Sequence, residues 1–337
     1  MILNDFELHN VVDVEPLPEG GWRLYRFPKT VRDAFAVPCC NDDCSHTSGQ
    51  VTAGCELRFV CDNADVELSF NEDTVIETFR GEYPYRTVHA SAGQRVCIAL
   101  RLDTVLDTMK WRGEGERFSP DVWRVSLSNN YSVATLHAVE AHAPIRPPRD
   151  DEVPAKRILA YGSSITQGIG TYLSSTSYIA TVGRTLGADI LCKGMGGSCF
   201  CHREVADYIA DETWDVATLE LGINMVRRFE VSEFEHRATY VVERALSRGK
   251  PVVLISNFAC SFDLPHDPWH ERQNAYICAS ERIAKALACD HLYYIRGRDI
   301  VTELSLLAAD MIHPSTYGHT EMGRRIAQKM REDLHII

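Results

Sequence analysis

Four short blocks in the second half of the chain carry residue types able to do acyl chemistry. Tyr161-Gly162-Ser163-Ser164-Ile165-Thr166-Gln167-Gly168 closes an apolar run with a small-residue loop, where a serine hydroxyl can project into a crevice. Gly194-Met195-Gly196-Gly197-Ser198 offers backbone that a ligand can approach closely and N–H groups free to donate. Leu221-Gly222-Ile223-Asn224 ends a third apolar run with an uncharged amide, suited to a developing oxyanion. Asp310-Met311-Ile312-His313-Pro314-Ser315 places a histidine three residues after an aspartate, so that one can take a proton while the other orients it. Taken singly, each has a plain structural alternative: an N-capping serine, a tight turn, an Asx turn and a surface loop. Taken together and in this order, they supply a nucleophile, two oxyanion donors, a base and an orienter, the parts needed for acyl transfer.

These blocks need strand ends to carry them. From residue 157 onward, short apolar runs alternate with helical patterns. Arg157–Tyr161, Asp189–Leu191, Val216–Leu221, Val252–Ile255 and His291–Ile295 read as strands. A helix-like stretch runs to about Leu186. Ser232-Glu233-Phe234-Glu235 reads as a capping box for a helix with Phe234, Ala238, Val241, Val242 and Ala245 on one face, stopped by Gly249 and Pro251. A last helix carries Met322, Ile326, Ala327 and Met330. Such alternation implies α/β architecture, a parallel sheet with helices on both faces and ligands beyond the carboxyl ends of the strands.

The first 141 residues differ. Leu57, Phe59 and Cys61 recur every second residue. So do Val66, Leu68 and Phe70, then Val96, Ile98, Leu100 and Leu102, then Trp123, Val125 and Leu127. Asp62-Asn63-Ala64-Asp65, Ser91-Ala92-Gly93 and Ser128-Asn129-Asn130 punctuate them. The pattern implies an antiparallel sandwich or jelly roll over 1–141. Residues 142–156 hold four prolines among mixed charges and read as a stiff, solvated linker to a second domain, 157–337.

On these residues the chain resembles the SGNH (GDSL-type) hydrolases, whose name takes one residue from each of four blocks. Here they match Ser164, Gly197, Asn224 and His313, with the family's acid at Asp310. The segment from His313 to His319 is also typical. The resemblance implies a flavodoxin-like three-layer α/β/α domain. It also implies that Ser164 attacks an ester carbonyl, with His313 as base and Asp310 holding its tautomer. The oxyanion would be met by the backbone N–H groups of Ser164 and Gly197 and by the Asn224 amide. No cofactor or metal is implied. Ser48-Gly49 ahead of alternating strands resembles the jelly-roll domain of the carbohydrate-esterase branch. That branch implies a small acyl group, O-acetyl first, on an oligosaccharide or other small molecule. Lipase, thioesterase and acyltransferase activities, and a degenerate carbohydrate-binding protein, are the competing readings. Three departures stand out: Ser163 replaces the aspartate of Gly-Asp-Ser, Cys192 the block-two asparagine, and Met225 the aspartate after the block-three asparagine. Trp269 and His270, on an aromatic and polar loop, are expected to bind substrate, as is Met225. Arg227 and Arg228 are expected to be solvated.

Composition narrows the partners. The chain has 337 residues, 45% hydrophobic and 24% charged, and a net charge of −12. That average field repels a phosphate backbone, so nucleic acid is not expected. No apolar run reaches the roughly 20 residues that span a bilayer. Met1-Ile2-Leu3-Asn4-Asp5-Phe6-Glu7 shows no secretory pattern, which points to the cytoplasm, and a homo-oligomer is compatible with the exposed sheet faces of a sandwich. The twelve cysteines then read as reduced thiols. Cys39-Cys40-Asn41-Asp42-Asp43-Cys44-Ser45-His46 holds soft ligands, but no second pair follows at finger spacing, so thiols in the core or at the surface are expected there. Cys199-Phe200-Cys201-His202 is too closely spaced for a redox motif and is expected to line a wall.

Overall fold

The computed structural model describes residues 1–102, 117–127, 131–141 and 143–336. The turn expected at Ser128-Asn129-Asn130, the linker's first residue His142 and the last residue of the chain lie outside the described residues.

Two antiparallel sheets form the first half. One has six strands in the spatial order Ile2–Leu3, Phe6–His9, Glu56–Val60, Val122–Ser126, Thr74–Arg80, Tyr83–Ala90. The other has five, in the order Asp13–Pro16, Trp22–Tyr25, Ala134–Ala141, Asn63–Phe70, Arg95–Arg101. Alternation explains their shared core. Along Asn63–Phe70 every second side chain is buried, and Ala64, Val66, Leu68 and Phe70 meet Leu57, Phe59, Trp123 and Val125 from the facing sheet.

The intervening polar residues of Glu56–Val60 and Val122–Ser126 are turned away from water. Val122–Ser126 is buried along both faces. Its outer face, with that of Glu56–Val60, packs on the second half through charge. Arg58 donates to both carboxylate oxygens of Asp189 at 2.7 and 2.8 Å and to Glu56 at 2.7 Å, while Arg124 donates to Glu56 at 2.5 and 2.9 Å. Glu77 accepts from Ser174 Oγ, Ser175 N–H and Ser175 Oγ at 2.6–2.9 Å. Burial pushes the Asp189 carboxyl up, and the Arg58 guanidinium outweighs that and holds it well below the usual carboxylate range.

Two short helices, Lys29–Phe35 and Ser45–Gln50, interrupt the expected run of strands. Phe27, Val31 and Phe35 join the core of the second half, so the early chain is shared between both cores. The proline-rich connector is pinned down too. Val60 and Arg146 exchange backbone hydrogen bonds at 2.8 and 3.2 Å, and Arg146 pairs with the buried Glu152 at 2.7 Å.

The second half is a five-stranded parallel sheet in the order Asp189–Gly194, Arg157–Gly162, Val216–Glu220, Val252–Ile255, Leu292–Ile295. Helices Tyr178–Leu186 and Thr316–Gln328 pack together, as do Arg203–Asp211, Val231–Leu246 and His270–Ala286, giving three layers. Among the described residues no helix is long and apolar enough to cross a membrane. Ser177 caps the first of these helices by accepting from Ala180 N–H, and Gly187 ends it in the left-handed region. The capping box expected at Ser232–Glu235 is absent. Glu230 is the N-cap, its carbonyl takes the Phe234 N–H at 3.1 Å, and Ser232 lies inside the helix. The chain passes from one side of the first strand to the other between Asp189–Gly194 and Val216–Glu220. This switch point opens a crevice at the carboxyl ends of the strands, where open α/β sheets hold ligands.

Candidate active site

Arg157–Gly162 leads into the turn that carries Ser164. Ser163 caps the single-turn helix Ser164–Gln167, its Oγ accepting from Ile165 N–H at 3.1 Å. Ser164 is therefore the first helical residue, and its N–H has no preceding helical carbonyl to bond. The Ser164 side chain reaches His313, Oγ to Nε2, over 2.7 Å. His313 Nδ1 lies 2.6 Å from Asp310 Oδ2. An ionised carboxylate only accepts, so Nδ1 carries the proton and Nε2 presents its lone pair to the Ser164 hydroxyl.

Asp310 is fixed by its own turn. Its Oδ1 accepts from the N–H groups of Ile312 and His313, both at 3.0 Å. Burial pushes the Asp310 carboxyl up, but the His313 ring and these two N–H groups outweigh it and hold the group below its ordinary value. The same turn is held from outside, where Ser261 N–H donates to the Met311 carbonyl at 2.7 Å.

Asn224 follows Val216–Glu220 across the crevice. Its Oδ1 accepts from Cys199 N–H at 3.0 Å, which leaves the amide N–H₂ as the end able to donate to a ligand. Arg228 donates to the Asn224 carbonyl at 3.2 Å. Gly197 sits at φ +72°, a left-handed conformation that suits glycine, in the loop after Asp189–Gly194. The neighbouring Gly196 N–H is already committed to Gln167 Oε1 at 2.8 Å.

The first half of the chain grips that loop. The Gly196 carbonyl accepts from Ser48 Oγ at 2.6 Å and from Cys44 Sγ at 3.5 Å. Arg26, fully buried, donates to the carbonyls of Val51, Ser48, Cys192 and Gly194 at 2.5–3.2 Å. Sequence patterning carries no sign of this, because a lone arginine between the strand Trp22–Tyr25 and the helix Lys29–Phe35 has no periodic signal. Arg26→Leu takes a donor from four buried carbonyls, of which Cys192 keeps Asn10 Nδ2 at 2.9 Å, and each carbonyl left unpaired costs about 1–3 kcal/mol. The urea midpoint should fall by an amount equivalent to at least about 3 kcal/mol. An unchanged midpoint would show that the carbonyls find other donors.

The structure thus brings Ser164, His313 and Asp310 into one chain of hydrogen bonds and places Gly197 and Asn224 after the two strands that flank Arg157–Gly162. Of the three residues expected to bind substrate, Met225 is corrected. A turn in which its N–H donates to the Gly222 carbonyl at 2.8 Å sends its side chain into the core, with no exposure. Trp269 is the residue before the helix His270–Ala286 and packs half-buried against the core, with the Arg272 guanidinium 5.9 Å from its ring. Neither Trp269 nor His270 contacts the triad by a described hydrogen bond. Arg227 and Arg228 are exposed, yet lie over the rings of Phe262 and Phe200 at 4.7 and 5.6 Å. Cys199 and Cys201 are buried beside the crevice. A surface groove is lined by Asp73, Thr74, His89, Thr171 and the exposed Tyr172, and Gly170, just before Thr171, abuts Pro314 and His313.

Cys39, Cys40 and Asp43 bring potential metal-ligand atoms within 4.8 Å of one another, without His46, which pairs with Gln50. The chemistry fits a metal poorly. Asp43 already accepts from the N–H groups of Cys39 and Ser45, and burial, with Asp43 beside it, pushes the Cys39 thiol up to about 12.

The sequence pattern of the GDSL-like lipase/acylhydrolase family matches residues 155–331. No curated protein matches the chain. Among solved structures, the salicylyl-acyltransferase SsfX3 from a tetracycline biosynthetic pathway superposes with a TM-score of 0.78 at 17% identity, covering 97% of this chain and 94% of that one. A family two carbohydrate esterase from Clostridium thermocellum, solved with cellohexaose, gives 0.63 at 11% identity over 98% and 99% of the two chains. An acetyl xylan esterase from Butyrivibrio proteoclasticus gives 0.59 at 10% identity over 99% and 96%. These likenesses span both halves and speak to the fold.

Proposed function

Because the chain belongs to the GDSL-like lipase/acylhydrolase family, and is thereby an ester-bond hydrolase, we propose that it removes small acyl groups, O-acetyl first, from carbohydrates through Ser164, His313 and Asp310. The observation that carries the reading is the unbroken chain from Ser164 Oγ to His313 to Asp310, at 2.7 and 2.6 Å.

Ser164 Oγ attacks the ester carbonyl carbon as His313 Nε2 takes its proton. Negative charge collects on the carbonyl oxygen, where the Ser164 and Gly197 N–H groups and the Asn224 amide donate to it. His313 then gives the proton to the leaving alcohol. Water repeats the sequence on the acyl-serine, releasing the acid and restoring the hydroxyl. Asp310 stabilises the transient imidazolium without itself taking the proton.

A sugar ester is supported by the two-half fold shared with carbohydrate esterases and by the exposed ring of Tyr172, two residues after the Gly170 that abuts His313. A substrate panel tests it. Acetylated oligosaccharides should give higher kcat/KM than long-chain acyl esters and acyl thioesters. Preference for the long chains would replace this reading with a lipase, and preference for thioesters with a thioesterase. The shared fold with an acyltransferase adds one arm: product analysis with alcohol acceptors present, where transfer exceeding hydrolysis would change the acceptor from water to an alcohol.

A further inference from the structure

We infer that Glu220, which none of the four blocks contains, is the positioning residue of the nucleophile turn and works from the neighbouring strand rather than from within the loop. The inference rests on Ser164 being the nucleophile.

Glu220 is the last residue of Val216–Glu220, and its side chain is buried beneath the turn that carries Ser164. One carboxylate oxygen, Oε2, gathers three donors: Ser163 N–H at 2.8 Å, Ser163 Oγ at 2.7 Å and Thr166 Oγ1 at 3.1 Å. Ser163 and Thr166 bracket Ser164, so Glu220 holds the turn on both sides of the nucleophile. Ser163 relays this further, since the Oγ that donates to Glu220 also accepts from Ile165 N–H. Gly162 is what allows the approach: a Cβ there would stand 2.7 Å from Glu220 Oε2 and 2.2 Å from Thr166 Oγ1. With Ser163 in place of an aspartate, the loop has no acid of its own, and Glu220 supplies one across the sheet.

The surroundings make this an expensive arrangement. The groups facing Glu220 are Ser163 and Thr166 from the turn, Tyr178 from the next helix, 2.8 Å from Thr166 Oγ1, and the Cys199 thiol, 4.0 Å from the Glu220 carbonyl. Among the described residues no lysine or arginine pairs with it, and Oε1 has no partner. Burial therefore pushes the carboxyl up to about 7 despite the hydrogen bonds from Ser163 and Thr166. In the unfolded chain it titrates near its ordinary value of 4.5. Between those values the folded state binds the extra proton, so this group favours folding increasingly as pH falls from 7 and opposes it when ionised above 7. Ionisation also strengthens the three hydrogen bonds that fix the turn. Function and stability thus pull in opposite directions at this residue.

The test is Glu220→Gln, assayed with a small acetyl ester from pH 5 to 9 beside thermal unfolding at pH 8. The expected result is a kcat lower by roughly 10–100-fold at pH 8, the cost of a slightly misplaced nucleophile, with KM within about twofold. The melting temperature should equal or exceed that of the wild type. On the acid side, wild-type kcat/KM should fall more steeply than that of Glu220→Gln, which has no carboxyl at this position to take up a proton. A kcat within twofold of wild type, or a lowered melting temperature that accounts for the lost activity, would overturn the inference. Thr166→Val gives a second reading if the first variant folds poorly. It removes one donor to the ionised form, so the acid limb should move up by several tenths of a pH unit, and an unmoved limb would count against Glu220. Ser164→Ala separates the two levels. Turnover surviving that change defeats the hydrolase assignment itself, whereas its loss beside an unaffected Glu220→Gln defeats only the role given to Glu220.

Discussion

Ser164→Ala should lower kcat on an acetyl ester by about 10⁵–10⁶-fold, the scale seen when a triad serine is removed. The hydroxyl is the one atom in the crevice with a base aligned on it, and its bond to His313 is part of a proton path that ends at a fixed carboxylate. Taking it away leaves the Gly197 loop and Asn224 in place, so hydrolysis should persist at a residual level of about 10³–10⁴ over water. Stability should hardly change. Ser164 begins the helix, and its capping partner is Ser163, so the variant loses one side-chain hydrogen bond of about 1 kcal/mol and gains a better helix former. The measurement is turnover together with labelling by a fluorophosphonate. The wild type should react at Ser164 and the variant should not. Turnover within tenfold of wild type, in a folded variant, would remove the serine from the mechanism and every role assigned around it.

How far the sequence discloses this site depends on the kind of information each residue needs. Ser164, Gly197, Asn224 and His313 each follow an apolar run or precede a helix, so local pattern alone puts them at the rim of a parallel sheet. Glu220 is different. It reads only as a polar residue within the strand run Val216–Leu221, and its meaning depends on Val216–Glu220 lying beside Arg157–Gly162, a lateral neighbour that periodicity does not encode. Met225 shows the opposite error. Adjacency to Asn224 suggests a shared crevice, but the turn beginning at Gly222, with φ +126°, points consecutive side chains to different sides. In the first half, period two identifies the inner face of each strand correctly at Val66, Leu68 and Phe70. It is silent on what covers the outer face, where Arg58 and Arg124 are buried against Asp189 and Glu56. The helices Lys29–Phe35 and Ser45–Gln50 are shorter than two turns, or barely so, and give too few apolar repeats to register.

Asn224 allows the oxyanion assignment to be separated from the architecture that supports it. Its two amide ends differ: Oδ1 holds Cys199 N–H, and in the proposed mechanism N–H₂ is the end that meets the substrate oxygen. Asn224→Ala removes both. It should cost about 10²–10³ in kcat, the usual value for one lost oxyanion donor. It should also cost up to about 1–3 kcal/mol for the stranded Cys199 N–H, so activity and stability fall together and neither is diagnostic alone. Asn224→Asp keeps the acceptor and deletes the donor. Cys199 remains bonded, and by charge assistance more strongly, so the unfolding midpoint should stay close to wild type. The second carboxylate oxygen would then face the forming oxyanion with like charge in a water-poor crevice, and kcat should fall at least as far as in the alanine variant. KM should move little in either case, because the donor acts where charge develops rather than on the resting ester. Should the aspartate variant turn over as fast as wild type, the amide is a loop tether only, and the Ser164 and Gly197 N–H groups would have to stabilise the oxyanion between them.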